Sequence, residues 1–280
     1  MSTKKDNSGN IAYLFHYNPL DRYMLSETPD RSSLESLREG QNFIQQLSID
    51  CVIVGYEANE VKVLVPNLNV GKRIYALPSG FIRQEESIEG AARRIIEDRT
   101  GITDFYLHQF GVYGAAGRTN RPYFNRLIGG ALERQGLNPH ITQELEWITR
   151  RFVSIGYYAL VDLTAVTPRK SPSDTSIRWT EVDVLPDLIM DHNQMIADAL
   201  STIRLQFDEG RLAFYLLPEQ FTMKEVKRLY ETVFQRPFAR NNFQKKILDL
   251  DALERVSKKF TGASNRAPYL YRFPRRWTAY

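Results

Sequence analysis

The chain has 280 residues, 42% of them hydrophobic and 25% charged, with a formal net charge of +4 and one cysteine. That composition is ordinary for a globular protein, and the length exceeds the usual single-domain size, so two domains are expected. A lone cysteine excludes an intrachain disulfide framework; residues 1–10 hold no apolar signal core, and no run is long enough to span a membrane, so a cytoplasmic location is expected.

Residues 1–45 are polar and mixed, with Ile11–Phe15 and Phe43-Ile44 as apolar punctuation, and read as a partly ordered arm. The apolar runs 50–56 and 61–65 predict two strands around a turn at Glu57-Ala-Asn-Glu60, and Arg73–Leu77 predicts a third before Pro78. Cys51 lies inside the first run and is expected to be a buried strand residue.

Residues 80–102 read Gly-Phe-Ile-Arg-Gln-Glu-Glu-Ser-Ile-Glu-Gly-Ala-Ala-Arg-Arg-Ile-Ile-Glu-Asp-Arg-Thr-Gly-Ile. Gly80, Glu86, Arg94, Ile96, Gly101 and Ile102 stand at the spacing G-x5-E-x7-R-E-U-x-E-E-x-G-U, with U aliphatic, and the segment resembles a Nudix box. The positions of the helix glutamates hold Ile95, Asp98 and Arg99 instead. Nudix hydrolases cleave diphosphates with hard cations held by those carboxylates, which stabilise the developing charge and activate water. No metal, no cofactor and no catalytic residue is therefore expected, and Arg99 should put a fixed positive charge where the cation would sit. Gly80 and Gly101 are expected at turns that need a residue without Cβ. In the family, the residues matching Glu86 and Arg94 brace the motif by pairing. Glu89, Arg93 and Glu97, at i, i+4 and i+8, read as a solvated charged face. The competing reading is a metal-dependent pyrophosphatase acting on ADP-ribose or another nucleoside diphosphate, with Glu86, Glu97 and Asp98 assembling a nonstandard metal site.

Beyond the helix, Phe105–Val112 and Phe152–Leu163 are rich in strand-forming residues, and residues 118–151 between them read as an insertion. Trp179 and Val182–Pro186 close the sheet region. Asp191–Asp208 predicts a helix with Ile196, Leu200, Ile203 and Phe207 on one stripe, ended by Gly210.

The C-terminal segment is basic. Residues 219–280 hold 14 Lys and Arg against 6 Asp and Glu, a net of +8, whereas the rest holds 23 against 27, a net of −4. Such segregation points to a polyanion partner. Thr222-Met-Lys-Glu225 is a capping box, in which hydroxyl and carboxylate satisfy free amides at a helix start. Val226, Leu229, Tyr230 and Val233 follow as one apolar stripe, and Arg236-Pro237 interrupts it. A second helix starts near Ala239 with Phe243, Ile247 and Leu250 on its apolar side and Arg240, Asn241, Gln244 and Lys245 opposite, Lys246 at the margin. Arg255–Phe260 and Pro268–Phe273 predict a basic hairpin. Helix, turn, helix, wing is the order of a winged helix, and Arg and Asn on an exposed second helix can pair with base edges in the major groove.

These features together resemble the Nudix-related transcriptional regulators of the NrtR type, and especially the sugar-responsive branch typified by the arabinose regulator AraR. The resemblance runs from about residue 48 to 273 and is carried by the altered box, Phe152-Val-Ser-Ile-Gly-Tyr-Tyr-Ala-Leu, Leu185-Pro-Asp-Leu-Ile-Met-Asp-His, Leu216-Leu-Pro-Glu-Gln-Phe-Thr and Arg240-Asn-Asn-Phe-Gln-Lys-Lys. It implies an α/β fold, a Nudix-like α/β/α sandwich over residues 46–209, with a C-terminal winged helix-turn-helix over 210–280. It implies a homodimer on a palindromic DNA operator and a small-molecule effector, a sugar or an ADP-ribose-like nucleotide, bound without hydrolysis. Arg240, Asn241, Asn242, Lys245 and Lys246 are the candidate base-reading residues, and Lys224, Lys258, Lys259, Arg266 and Arg272 the candidate phosphate contacts. Arg73, Tyr75, Arg118 and Tyr157 are the candidate lining of an effector cleft.

Overall fold

The computed structural model describes residues 43–69, 73–118, 150–171, 174–207, 212–259 and 267–273. Residues 1–42 of the expected arm, nearly all of the 118–151 insertion, Gly210 and Arg266 lie outside the described residues, and the last three residues of that arm, 43–45, are instead the start of the first strand, where Phe43 is buried.

The first two strands, β1 (Phe43–Glu57) and β2 (Glu60–Asn69), form the hairpin that their apolar runs predict. Ala58 and Asn59 turn it with φ of 53° and 68°, the left-handed pair that a two-residue hairpin connection requires. β3 (Arg73–Tyr75) and β4 (Ser79–Arg83) follow, then α1 (Ile88–Thr100), β5 (Tyr106–Tyr113), β6 (Val153–Val161) and β7 (Asp174–Glu181). The seven strands make one mixed sheet in the order β3-β2-β1-β6-β5, with β4 beside β1 and β7 beside β2. β1 runs parallel to β6 and antiparallel to β2 and β4.

Being central, β1 is covered on both faces, and its side chains divide by the period of two. Ile49, Cys51 and Ile53 pack with Ala91, Ala92, Ile95 and Ile96 of α1. Val52 and Val54 pack on the opposite face with α2 (His192–Gln206). Burial pushes the Cys51 thiol up, as for an inert core cysteine.

Ser87 caps α1 by accepting from the Gly90 amide, and Gly101 ends it at φ 75°, as expected of that glycine. Gly80 has a different reason from the expected turn. It lies within β4, and a Cβ there would stand 2.8 Å from Ile95 Cδ1, so the glycine lets α1 close on the sheet.

A 3-10 turn (Leu212–Leu216) leads to β8 (Phe221–Thr222), α3 (Met223–Phe234), α4 (Arg240–Asp249), β9 (Glu254–Lys258) and β10 (Tyr269–Arg272). The capping box is formed: Glu225 N–H donates to Thr222 Oγ1 at 3.3 Å and Thr222 N–H to Glu225 Oε2 at 2.6 Å. α3 ends at Gln235 with φ 51°, two residues before Pro237. The second sheet has the order β8-β10-β9. Its first strand was not expected, because two residues before a capping box carry no periodicity of their own.

The two halves share one core. The apolar cluster on the α2 face of the large sheet continues through Ile203 and Phe207 to Leu212 and Phe214, and on to Phe221, Val226, Tyr230 and Phe243. Polar contacts also bridge them: Arg204 Nε donates to the Val233 carbonyl, and Thr232 Oγ1 to the Asn59 carbonyl, each at 3.0 Å. Among the described residues, no helix is long and apolar enough to cross a membrane.

Candidate functional site

The altered box retains its brace. Arg94 Nε donates to Glu86 Oε2 at 3.0 Å and its Nη2 to the Phe81 carbonyl at 2.9 Å, while Glu86 Oε1 accepts from the Arg83 amide at 2.8 Å. Glu86, the box's first acid, is therefore committed to holding the loop. Burial pushes its carboxyl up, but the Arg94 and Arg83 hydrogen bonds outweigh this and hold it below the usual glutamate value.

Ile95 is buried beneath Gly80, in the core. Arg99 does not occupy a cation's place with an open charge, as its position in the box had implied. Its guanidinium is buried against Asp174 of β7, whose Oδ2 also accepts from the Ser171 amide at 2.8 Å. Glu89 pairs with Arg93 at 2.9 Å on the exposed face, where Glu97 is exposed as well. Among the described residues, no three His, Cys, Asp or Glu side chains converge as metal ligands would.

The four candidate cleft residues do not line one wall. Arg73 is exposed on β3, and Tyr75 is half-buried there with the Arg178 guanidinium 5.7 Å from its ring centre. Tyr157 is buried on the α1 face of the sheet, with its hydroxyl donating to Gln109 Oε1 at 3.2 Å. Arg118 belongs to the opposite face. Neighbouring positions in a strand point to opposite faces, so proximity along the family pattern could not resolve which face each residue serves.

Arg118 is the centre of a buried network that the sequence reading missed. Its Nη2 lies 3.1 Å from Asp50 Oδ2, and its Nε lies 2.9 and 2.8 Å from Asp191 Oδ1 and Oδ2. His192 Nδ1 accepts from the Leu77 amide at 2.9 Å, and its Nε2 stands 3.8 Å from Asp50 Oδ1 with no hydrogen-bond partner among the described residues. Burial pushes the Asp50 carboxyl up, but the Arg118 guanidinium and the hydrogen bonds of Ser154 and Ser79 hold it below the usual value. Burial lowers His192 from its own usual value. With Nδ1 already accepting, that ring is neutral with its proton on Nε2, so Arg118 is the fixed charge that answers Asp50. A lone acid inside the apolar run Ile49-Asp-Cys-Val-Ile-Val was the available signal.

On the winged helix, Phe243 and Ile247 turn α4 inward, and Arg240, Asn241, Asn242, Lys245 and Lys246 are all exposed along its outer side. Gln244 is half-buried. Lys224 is exposed at the start of α3, and Lys258, Lys259 and Arg272 are exposed on or beside the wing. Two of these basic groups are already engaged: Lys259 pairs with Glu225 at 3.2 Å and Arg272 with Glu254 at 2.8 Å. Arg255 and Lys258 flank the Tyr269 ring, 4.2 and 5.6 Å from its centre. That cation pair on one ring was not expected, since it depends on the register between β9 and β10.

Residues 213–273 match the family model described as the NrtR DNA-binding winged helix domain. The ADPR responsive transcriptional repressor NtrR of Acinetobacter baylyi is 22% identical over 233 residues, covering 81% of each chain. Among solved structures, Shewanella oneidensis NrtR complexed with a 27mer DNA is 21% identical with a TM-score of 0.61, over 82% of this chain and 94% of that one. A MutT/nudix family protein from Enterococcus faecalis is 16% identical with a TM-score of 0.58, over 88% and 94%. The fold is thus a Nudix-like sandwich followed by an NrtR-type winged helix, and the resemblance to the Nudix-related regulators of the NrtR type is borne out.

Proposed function

We propose that the chain is a DNA-binding transcriptional regulator of the NrtR type, whose Nudix-like half senses a small metabolite without hydrolysing it. The observation that carries this reading is the exposed row Arg240, Asn241, Asn242, Lys245 and Lys246 on the second helix of a winged helix. Arginine can pair with guanine and asparagine with adenine through two hydrogen bonds each, whereas lysine and arginine on the wing neutralise phosphates. Two copies on a palindromic duplex is the arrangement proposed.

Arg240→Ala is expected to cost about 1–3 kcal/mol of operator affinity and to relax base preference, whereas Lys258→Ala weakens all duplexes alike. The measurement is binding to a duplex selected from a randomised pool, beside random DNA, at several salt concentrations. Equal losses on both duplexes for Arg240→Ala would refute the assignment.

For the effector, the curated relative responds to ADP-ribose. ADP-ribose or a nucleotide of the same chemistry is the effector proposed here. The sugar or sugar derivative expected from the AraR-like features has no support among the relatives compared, and it remains the finer alternative that a ligand screen decides.

The same reading holds the Nudix-like half to be non-catalytic, because Ile95 is core, Arg99 is ion-paired and Glu86 is held by Arg94. Incubation with ADP-ribose and magnesium or manganese is expected to give no cleavage. Turnover of about 1 per second or more, abolished by Glu97→Gln, would establish the hydrolase instead.

A further inference from the structure

α2 is anchored at both ends, each in a different half. At its C-terminal end Arg204 Nε donates to the Val233 carbonyl, and Phe207 stands edge-on to Tyr230 at 4.9 Å and to Phe234 at 5.8 Å between ring centres. At its N-terminal end Asp191 is held by Arg118. A helix of 15 residues spans roughly 22 Å at about 1.5 Å per residue, so α2 is a stiff strut between the Nudix-like sheet and α3.

The N-terminal anchor has a second partner within reach. An aspartate at the N-cap position ordinarily accepts from the amides of the first turn. Asp191 makes no such bond, its carboxylate being turned to Arg118. Of the two carboxylates on Arg118, Asp191 is the one at the open side: its side chain is 27% exposed, against 3% for Asp50 and 1% for Arg118. Beside it, His192 carries the buried Nε2 that has no hydrogen-bond partner among the described residues.

We propose that Arg118 and His192 Nε2–H form the anion-binding end of the effector site, and that a diphosphate binds there by displacing the Asp191 carboxylate, which then turns to cap α2. This rests on the regulator reading above. A diphosphate oxygen in place of the Asp191 carboxylate keeps an anion against Arg118 and gives the orphaned His192 donor an acceptor. It frees a carboxylate whose own helix start can satisfy it. The exchange resets the first turn of α2, and the strut carries that change to α3 and the DNA-reading helix. A ligand shifts such an equilibrium only through different contacts in the two states, and here Asp191 has a distinct partner in each.

The test titrates ADP-ribose and inorganic pyrophosphate into the full chain by calorimetry, with and without a duplex selected from a randomised pool. Asp191→Asn removes the competing charge and leaves a good N-cap residue. It is expected to raise affinity for both ligands by about fivefold or more, and to lower the ADP-ribose needed to release DNA. Asp198→Asn removes the same charge two turns along α2, where the carboxylate accepts from Tyr113 and Gln194, and is expected to leave ligand affinity unchanged. If wild type binds ADP-ribose and responds on DNA, yet Asp191→Asn behaves like wild type or like Asp198→Asn, the latch is wrong and the regulator reading stands. If wild type binds duplex but neither ligand binds any variant, the diphosphate effector and the latch fall together.

Discussion

Arg99→Glu, which restores a glutamate that the Nudix box carries, is expected to unfold the protein rather than rebuild a metal site. Arg99 is the cationic partner of Asp174, whose side chain is fully buried and whose Oδ1 has no hydrogen-bond partner among the described residues. Removing one member of a buried pair costs about 3–5 kcal/mol, because the other charge is left in a low-dielectric interior. Glutamate adds like-charge repulsion to that loss. Domains are stable by only about 5–15 kcal/mol in total, so most of the margin disappears. Urea unfolding followed by circular dichroism checks this, and the swap Arg99→Glu with Asp174→Arg should recover part of the loss. A soluble Arg99→Glu protein with an unchanged midpoint and a bound manganese ion would show that the position still serves a metal.

Phe207→Ala should destabilise the molecule by about 3–5 kcal/mol and separate the unfolding of its halves. The ring is fully buried and stands edge-on to Tyr230 and Phe234 of α3. A large-to-small change at such a site loses the transfer free energy of the ring and leaves a cavity. Since the apolar cluster runs without a break from Val52 in the large sheet to Ile247 in α4, wild type should unfold in one transition. The variant should show two by calorimetry, with the winged helix melting first. A loss within about 0.5 kcal/mol, the scale of surface substitutions, would mean that the halves do not depend on each other.

Local chemistry was legible wherever one residue type has one use at one spacing. Glu86 and Arg94 brace the box as the resemblance to the Nudix family implies, Gly101 takes its left-handed angle, and Thr222 and Glu225 form their reciprocal cap. The stripe Val226, Leu229, Tyr230 and Val233 is buried as its periodicity requires. Gly80 was legible as a necessary glycine but not for its reason, because the close approach of Ile95 comes from α1 packing on β4. Arg99 was read through its place in the box, whereas its partner Asp174 is supplied by a strand 75 residues away.

By itself, then, the sequence determined the order of most elements, the altered box and the exposed basic face of α4. These follow from nearest-neighbour periodicity, caps and charge, which act over a few residues. Only the tertiary structure decided that Tyr157 and Arg118 serve opposite faces of the sheet, and that Asp50, Arg118, Asp191 and His192 meet. It alone joined the halves into one core through Phe207. These depend on strand register and helix packing, where a shift of one residue turns a side chain to the other face. A buried charge also takes its meaning from whichever distant partner the fold places beside it.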